Sequence, residues 1–181
     1  MRTNRTIAIA LAAQTRVAAA CSSAEEPTTT ATTTTTGPQT IEVVALDYGF
    51  SGLPERVAAG TTFTLVNDST TELHELVAIP LPEDEARTVP ELLADPEGLA
   101  AYFPTVETVL IAPPLEGSIA VEGTGTLTTP GRYAIICAIP TGADPGEYMA
   151  AAAEAEGGPP QVNGGPPHFM EGMWGEVIVE G

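Results

Sequence analysis

Eight short stretches of this chain alternate apolar with polar or small residues, and that periodicity limits the fold more than any other feature. They read "IEVVAL" (41–46), "TFTLVN" (62–67), "LHELVAI" (73–79), "TVLIAP" (108–113), "GSIAVEG" (117–123), "TGTLT" (124–128), "RYAIICAI" (132–139) and "GEVIVE" (175–180). Successive side chains of a strand face opposite ways, so a period of two marks segments that bury one face of a sheet. The runs are rich in Val, Ile and Thr, and "GLPERVAAGT", "NDST" and "TPGRY" supply turn chemistry between them. Many short strands with such punctuation predict an all-β protein, a β-sandwich.

Two helical excursions interrupt the pattern. Residues 83–103 carry Pro90 before "ELLAD" and Pro96 before "EGLAAYF", prolines suited to the first turn of a helix. "DPGEYMAAAAEAE" (144–156) predicts a second helix, with Asp144 as N-cap and Gly157 as stop. The tetrapeptide "GGPP" occurs at 157–160 and again at 164–167, stiffening the chain before His168.

From its amino terminus the chain reads as three parts. Arg2 and Arg5 lead into an apolar run and then small residues up to Cys21, the pattern of an export segment over 1–21. "VAAAC" resembles a bacterial lipoprotein box, which implies Cys21 as a lipid anchor; a plain secretory signal is the alternative. Residues 22–40, Thr-rich with few apolar groups, cannot offset chain entropy and read as a tether. Residues 41–181 form the expected globular domain. With Cys21 as anchor, Cys137 is the only thiol in that domain.

Charge narrows the partners. Residues 22–181 hold all 24 carboxylates against three arginines, a net −21, and the chain has no lysine. Such a body lacks the basic footprint that nucleic acid or an anionic membrane surface requires, and suits a cation or a protein with a basic face.

On the strand at 132–139, period two puts Tyr133, Ile135 and Cys137 on one face, preceded by Pro130-Gly131. The chain end adds H-x4-M-x-G-x-V-x-V, from His168 through Met173 to Val179. Taken singly, a strand cysteine is a small buried hydrophobe, a histidine a hydrogen-bonded side chain and a methionine core. Together these pieces resemble the carboxy-terminal signature of the cupredoxins, the plastocyanin-like small copper proteins. In that family a strand ends in Cys, a loop brings His and then Met, and a closing strand follows. An upstream His after an Asn-containing turn completes the set, and "NDSTTELHELVAI" supplies His74.

The resemblance covers about residues 41–180 and implies a Greek-key β-sandwich with two helical insertions. It also implies one mononuclear copper ion held by His74, Cys137, His168 and Met173. Met170 is a rival for the axial position. Two imidazoles, a thiolate and a weak thioether suit copper in either oxidation state. The expected function is one-electron transfer outside the cytoplasmic membrane, as a monomer, to a redox partner with a basic face. A copper chaperone or store, and a metal-free binding module, are the alternatives. An apolar collar of Pro166, Pro167, Phe169 and Trp174 is expected around His168. Catalysis is not expected: both histidines of the chain are used by one such site, leaving none for a second copper centre, "HELVA" lacks the second His of a zinc protease, and there is no G-x-S-x-G.

Two departures from the family stand out. Thirty residues separate Cys137 from His168, where the family has only a few. Glu75 follows the first histidine, where the family often has an Asn that ties the ligand loops together.

Overall fold

The computed structural model describes residues 37–155 and 158–181. The export segment 1–21, most of the tether and the Gly157 stop lie outside the described residues. Ten strands form two sheets. β1 (Thr40–Leu46), β2 (Gly49–Ser51), β4 (Thr61–Asn67) and β8 (Thr126–Leu127) make a four-stranded sheet in the order β2-β1-β4-β8. The other sheet comprises β3 (Arg56–Ala58), β5 (His74–Leu81), β6 (Thr108–Ala112), β7 (Ile119–Glu122), β9 (Gly131–Ile136) and β10 (Trp174–Glu180), ordered β3-β10-β9-β5-β6-β7. Strands β5, β6 and β7 run antiparallel in succession; the chain then crosses to β8 and returns as β9 on the other side of β5. That order is a Greek key. The all-β sandwich expected from periodicity is the architecture observed.

The eight predicted strands all form. β2 and β3 were not expected, β3 lying within a stretch read as turn. Each has three residues, too few to show a period of two, and each sits at a sheet edge where one neighbour suffices.

The inter-sheet core follows the alternation. Val43 and Ala45, Phe63 and Leu65, Leu76 and Ala78, Tyr133 and Ile135, and Val177 and Val179 all pack into one buried cluster. The central strand β5 breaks the half-buried pattern, with seven of its eight residues buried. The reason is a second layer on the outer face of the six-stranded sheet, where Val77, Ile79, Ala134 and Ile136 meet Val89, Leu92, Leu93 and Leu99. Those residues come from the first insertion, which folds as α1 (Val89–Leu93) and α2 (Pro96–Ala100) followed by a 3-10 turn at Phe103–Thr105. Thr88 and Glu91 form a reciprocal capping box on α1, and Asp95 caps α2 through the Gly98 N–H.

The second insertion contains α3 (Pro145–Glu154), capped as expected by Asp144, which accepts the Glu147 N–H at 2.9 Å. Only Tyr148 of this helix is fully buried. Both insertions lie over the same sheet, and between them runs a cleft of about 100 Å³ walled by Val77, Val109, Ile111 and Val121, with Glu75 and Tyr148 also lining it. Among the described residues no helix is long and apolar enough to cross a membrane.

Candidate metal centre

Strand direction gathers the candidate side chains at one end of the sandwich. His74 opens β5, Cys137 follows the last residue of β9, and His168 and Met173 precede β10; β9 is antiparallel to both of the others. His74, Cys137 and His168 place donor atoms within 4.8 Å of one another, and all three residues are fully buried. The His74 and His168 Nδ1 atoms are 3.2 Å apart, and the Cys137 Sγ is 3.3 Å from the His168 Nδ1. Two nitrogen donors about 2 Å from one ion and roughly 105° apart lie roughly 3.2 Å from each other, so the spacing fits a single shared ion.

The loop before His74 is built by Asn67. Its side-chain amide donates to the carbonyls of Glu72 (2.8 Å) and Ala112 (2.9 Å), and its Oδ1 accepts the Ser69 N–H at 2.8 Å. The Ser69 hydroxyl in turn accepts the Glu72 N–H at 3.0 Å. These side-chain-to-backbone bonds close the turn locally and deliver His74 into β5 in a fixed orientation.

On the other side, the thirty-residue insertion does not separate Cys137 from His168. The Thr141 N–H donates to the Pro166 carbonyl (3.0 Å) and the Gly165 N–H to the Thr141 carbonyl (2.8 Å). The His168 N–H donates to Ile139 (3.0 Å) and the Phe169 N–H to Cys137 (2.9 Å). A backbone stem thus closes the insertion at its base. Gly164 is needed there, since a Cβ on it would lie 2.4 Å from the Pro140 Cβ. His168 then begins a 3-10 turn, His168–Glu171, ended by Gly172 at φ 115°, a left-handed conformation that glycine adopts without steric cost.

Met173 follows directly. It is fully buried, its N–H donates to the His168 carbonyl (3.0 Å) and its carbonyl accepts the Cys137 N–H (3.1 Å). Met170, the rival, is 62% exposed. Of the two methionines, only Met173 joins the core cluster that contains Cys137.

The surroundings show how the donors are held. Burial, with His168 beside it, pushes His74 down to about 4; burial also lowers His168. Burial and the nearby Glu75 raise the Cys137 thiol well above its ordinary range. At neutral pH the cluster is therefore two neutral imidazoles and a thiol. Both Nε2 atoms are buried without a hydrogen-bond partner. They face carboxylates, His168 towards Glu72 at 3.4 Å and His74 towards Asp47 at 3.9 Å. An ion on both Nδ1 atoms would put the protons on Nε2, aimed at those carboxylates, which is the usual outer arrangement of a ligating histidine. The residues present fit a metal ion.

Sequence reading missed Asp47, Glu72 and Tyr48. The Tyr48 ring stands edge-on to His168 with centroids 5.1 Å apart, and its backbone is left-handed at φ 63°. No local pattern marks these residues, because their role depends on loops meeting across the fold. The expected collar is corrected in part. Phe169 is buried in the outer layer with Val77 and Ile136, whereas Trp174 is 37% exposed. Burying a Phe side chain is worth about 1.5–3 kcal/mol, which favours that site over display at the surface. Pro166 is exposed and Pro167 half-buried.

Fold and site together define a class: a two-sheet β-sandwich with a buried cluster of two histidines and a cysteine at one end, and a buried methionine bonded to its backbone. No protein-family model matches the chain, and no curated protein matches it. The chain is similar to the solved structure of dithionite-reduced auracyanin from the photosynthetic bacterium Roseiflexus castenholzii, with 21% identity and a TM-score of 0.44 over 80% of this chain and 98% of that one. It is similar also to auracyanin B, at 18% identity and a TM-score of 0.42 over 79% of this chain and 89% of that one. A third likeness is to auracyanin A, a "blue" copper protein of the green thermophilic photosynthetic bacterium Chloroflexus aurantiacus, at 20% identity and 0.42 over 80% and 100%.

Proposed function

We propose that this chain is an exported, membrane-anchored, mononuclear copper protein of cupredoxin type that carries single electrons. The observation that carries the reading is the convergence of both histidines of the chain with Cys137 in one fully buried cluster. His74, Cys137 and His168 would hold the ion, with Met173 as a fourth, weaker donor. Bound copper would supply a one-electron couple, its soft sulfur donors favouring the reduced ion and its nitrogens tolerating the oxidised one. The protein's own part is rigidity. The Asn67 loop and the stem at Thr141–Pro166 hold the donors in place, so little reorganises when charge changes.

Complete burial of the ligands supports a carrier over a chaperone, which must hand over its metal. The net −21 of residues 22–181, with Asp47 and Glu72 beside the site, supports a partner with a basic face. Export and anchoring rest on the segment ending at Cys21.

Stoichiometric Cu(II) added to the purified protein should produce an intense visible thiolate-to-copper band that Cys137→Ser abolishes. A colourless copper-loaded protein overturns the reading. Rapid loss of copper to a modest chelator with no reversible redox wave would favour storage or delivery. Copper that leaves thermal stability unchanged would mean no native-state binding, since a ligand of the folded state must raise it.

A further inference from the structure

Glu75 occupies an unusual position. It follows His74 on β5, is only 3% exposed, and bonds to three residues on two separate stretches of chain. Its N–H donates to the Cys137 Sγ at 3.4 Å. Its Oε1 accepts the N–H of Ala138, the residue after that cysteine, at 3.0 Å. Its Oε2 accepts the Tyr148 hydroxyl at 3.0 Å. Both oxygens accept, among the described residues no cation pairs with it, and burial pushes the carboxyl up to about 7. Burying such a group is costly, and a neutral amide would link the same loops with less desolvation.

Tyr148 gives the arrangement its reach. It is the one fully buried side chain of α3, so the contact with Glu75 lies where the insertion is seated on the sheet. The insertion leaves the fold immediately after Cys137 and returns immediately before His168. Its helix therefore grips, through one hydroxyl, the carboxylate that orients the cysteine at its own starting point.

We propose that Glu75 and Tyr148 form a positioning strut through which the 138–167 insertion fixes Cys137 and sets the redox preference of the bound metal. The strut rests on the copper reading for its redox consequence, and on hydrogen bonds alone for its mechanical one. Where Glu75 is ionised, its charge beside the thiolate favours the oxidised ion, so removing it favours the reduced one.

The test uses the full chain and the variants Glu75→Gln and Tyr148→Phe, both close in shape to the originals. In the metal-free protein, hydrogen exchange at the Glu75 and Ala138 amides should accelerate at least about tenfold in Tyr148→Phe, while amides of β10 stay protected. With copper, Glu75→Gln should move the Cu(II)/Cu(I) affinity ratio at least about tenfold towards Cu(I), which is about 59 mV in a one-electron potential. Tyr148→Phe should shift the thiolate-to-copper band while leaving it intense. If the wild-type chain takes up copper and both variants match its ratio, band and amide protection, the strut is overturned while the copper reading stands. Loosened amides with an unchanged ratio and band overturn it equally, because the role is then only structural. If the wild-type chain takes up no copper, the copper reading fails first and the strut's redox role fails with it.

Discussion

The two insertions lie over the same sheet yet are built on different principles. The first places Val89, Leu92, Leu93 and Leu99 against the outer face of β5 and β9 and adds a hydrophobic layer. The second fully buries one helical side chain, Tyr148, packs Met149, Ala152 and Val162 partly against the inter-sheet core, and closes on a backbone stem beside Cys137 and His168. A segment that thickens a core contributes stability wherever it sits. A segment that begins at Cys137 and ends at His168 also fixes how those two side chains meet. The difference teaches that the first insertion should be separable from the metal site and the second should not.

Three experiments would break or sharpen that contrast. Leu92→Ala, in a fully buried position, should cost about 2–5 kcal/mol by denaturant unfolding and leave the copper spectrum unchanged. A shifted band would mean the first insertion also shapes the site. Gly164→Ala forces a Cβ against Pro140 at the stem and should cost about 1–3 kcal/mol. Unlike the leucine variant, it should also weaken Cu(II) retention in chelator competition, and unchanged retention would mean that the stem does not hold Cys137 and His168 in place.

The smallest effect concerns pH. Glu85, in the first insertion, is held at about 2 instead of its ordinary 4.5 by hydrogen bonds from Arg87 and Tyr102. A carboxylate with a lowered folded-state pKa contributes stability that is complete above about 4.5 and drains away as pH falls towards 2. Glu85→Gln should flatten the acid limb of a thermal-stability profile in that window without altering copper binding near neutral pH. An acid limb identical to wild type would remove Glu85 from the account.

Much of this was legible in the residues. Period two located eight of the ten strands, because a face buried against a second sheet imposes alternation. It could not locate β2 or β3, since a three-residue edge strand is defined by its neighbour and not by its own side chains. The candidate ligands were legible because the chain has just two histidines to consider, and His74, Cys137 and His168 do converge. Met173's part as axial ligand stays with the proposal. Asp47, Glu72 and Tyr48 were not legible, being brought to the imidazoles by loop crossings that no spacing encodes. Glu75 was noticed as a departure, but its partner Tyr148 lies 73 positions away on a helix whose docking only the fold reveals.

The closed stem at Thr141 and Gly165 has a practical corollary. Because the two chain segments already meet there, the excursion beyond them resembles a cassette in a socket. A replacement of different length and content should therefore seat in the same place, provided the incoming piece presents its ends at the same separation. If the proposed strut holds, the present occupant differs from an inert filler through Tyr148, and swapping it would retune the copper proposed at the site as well as redecorate the exterior.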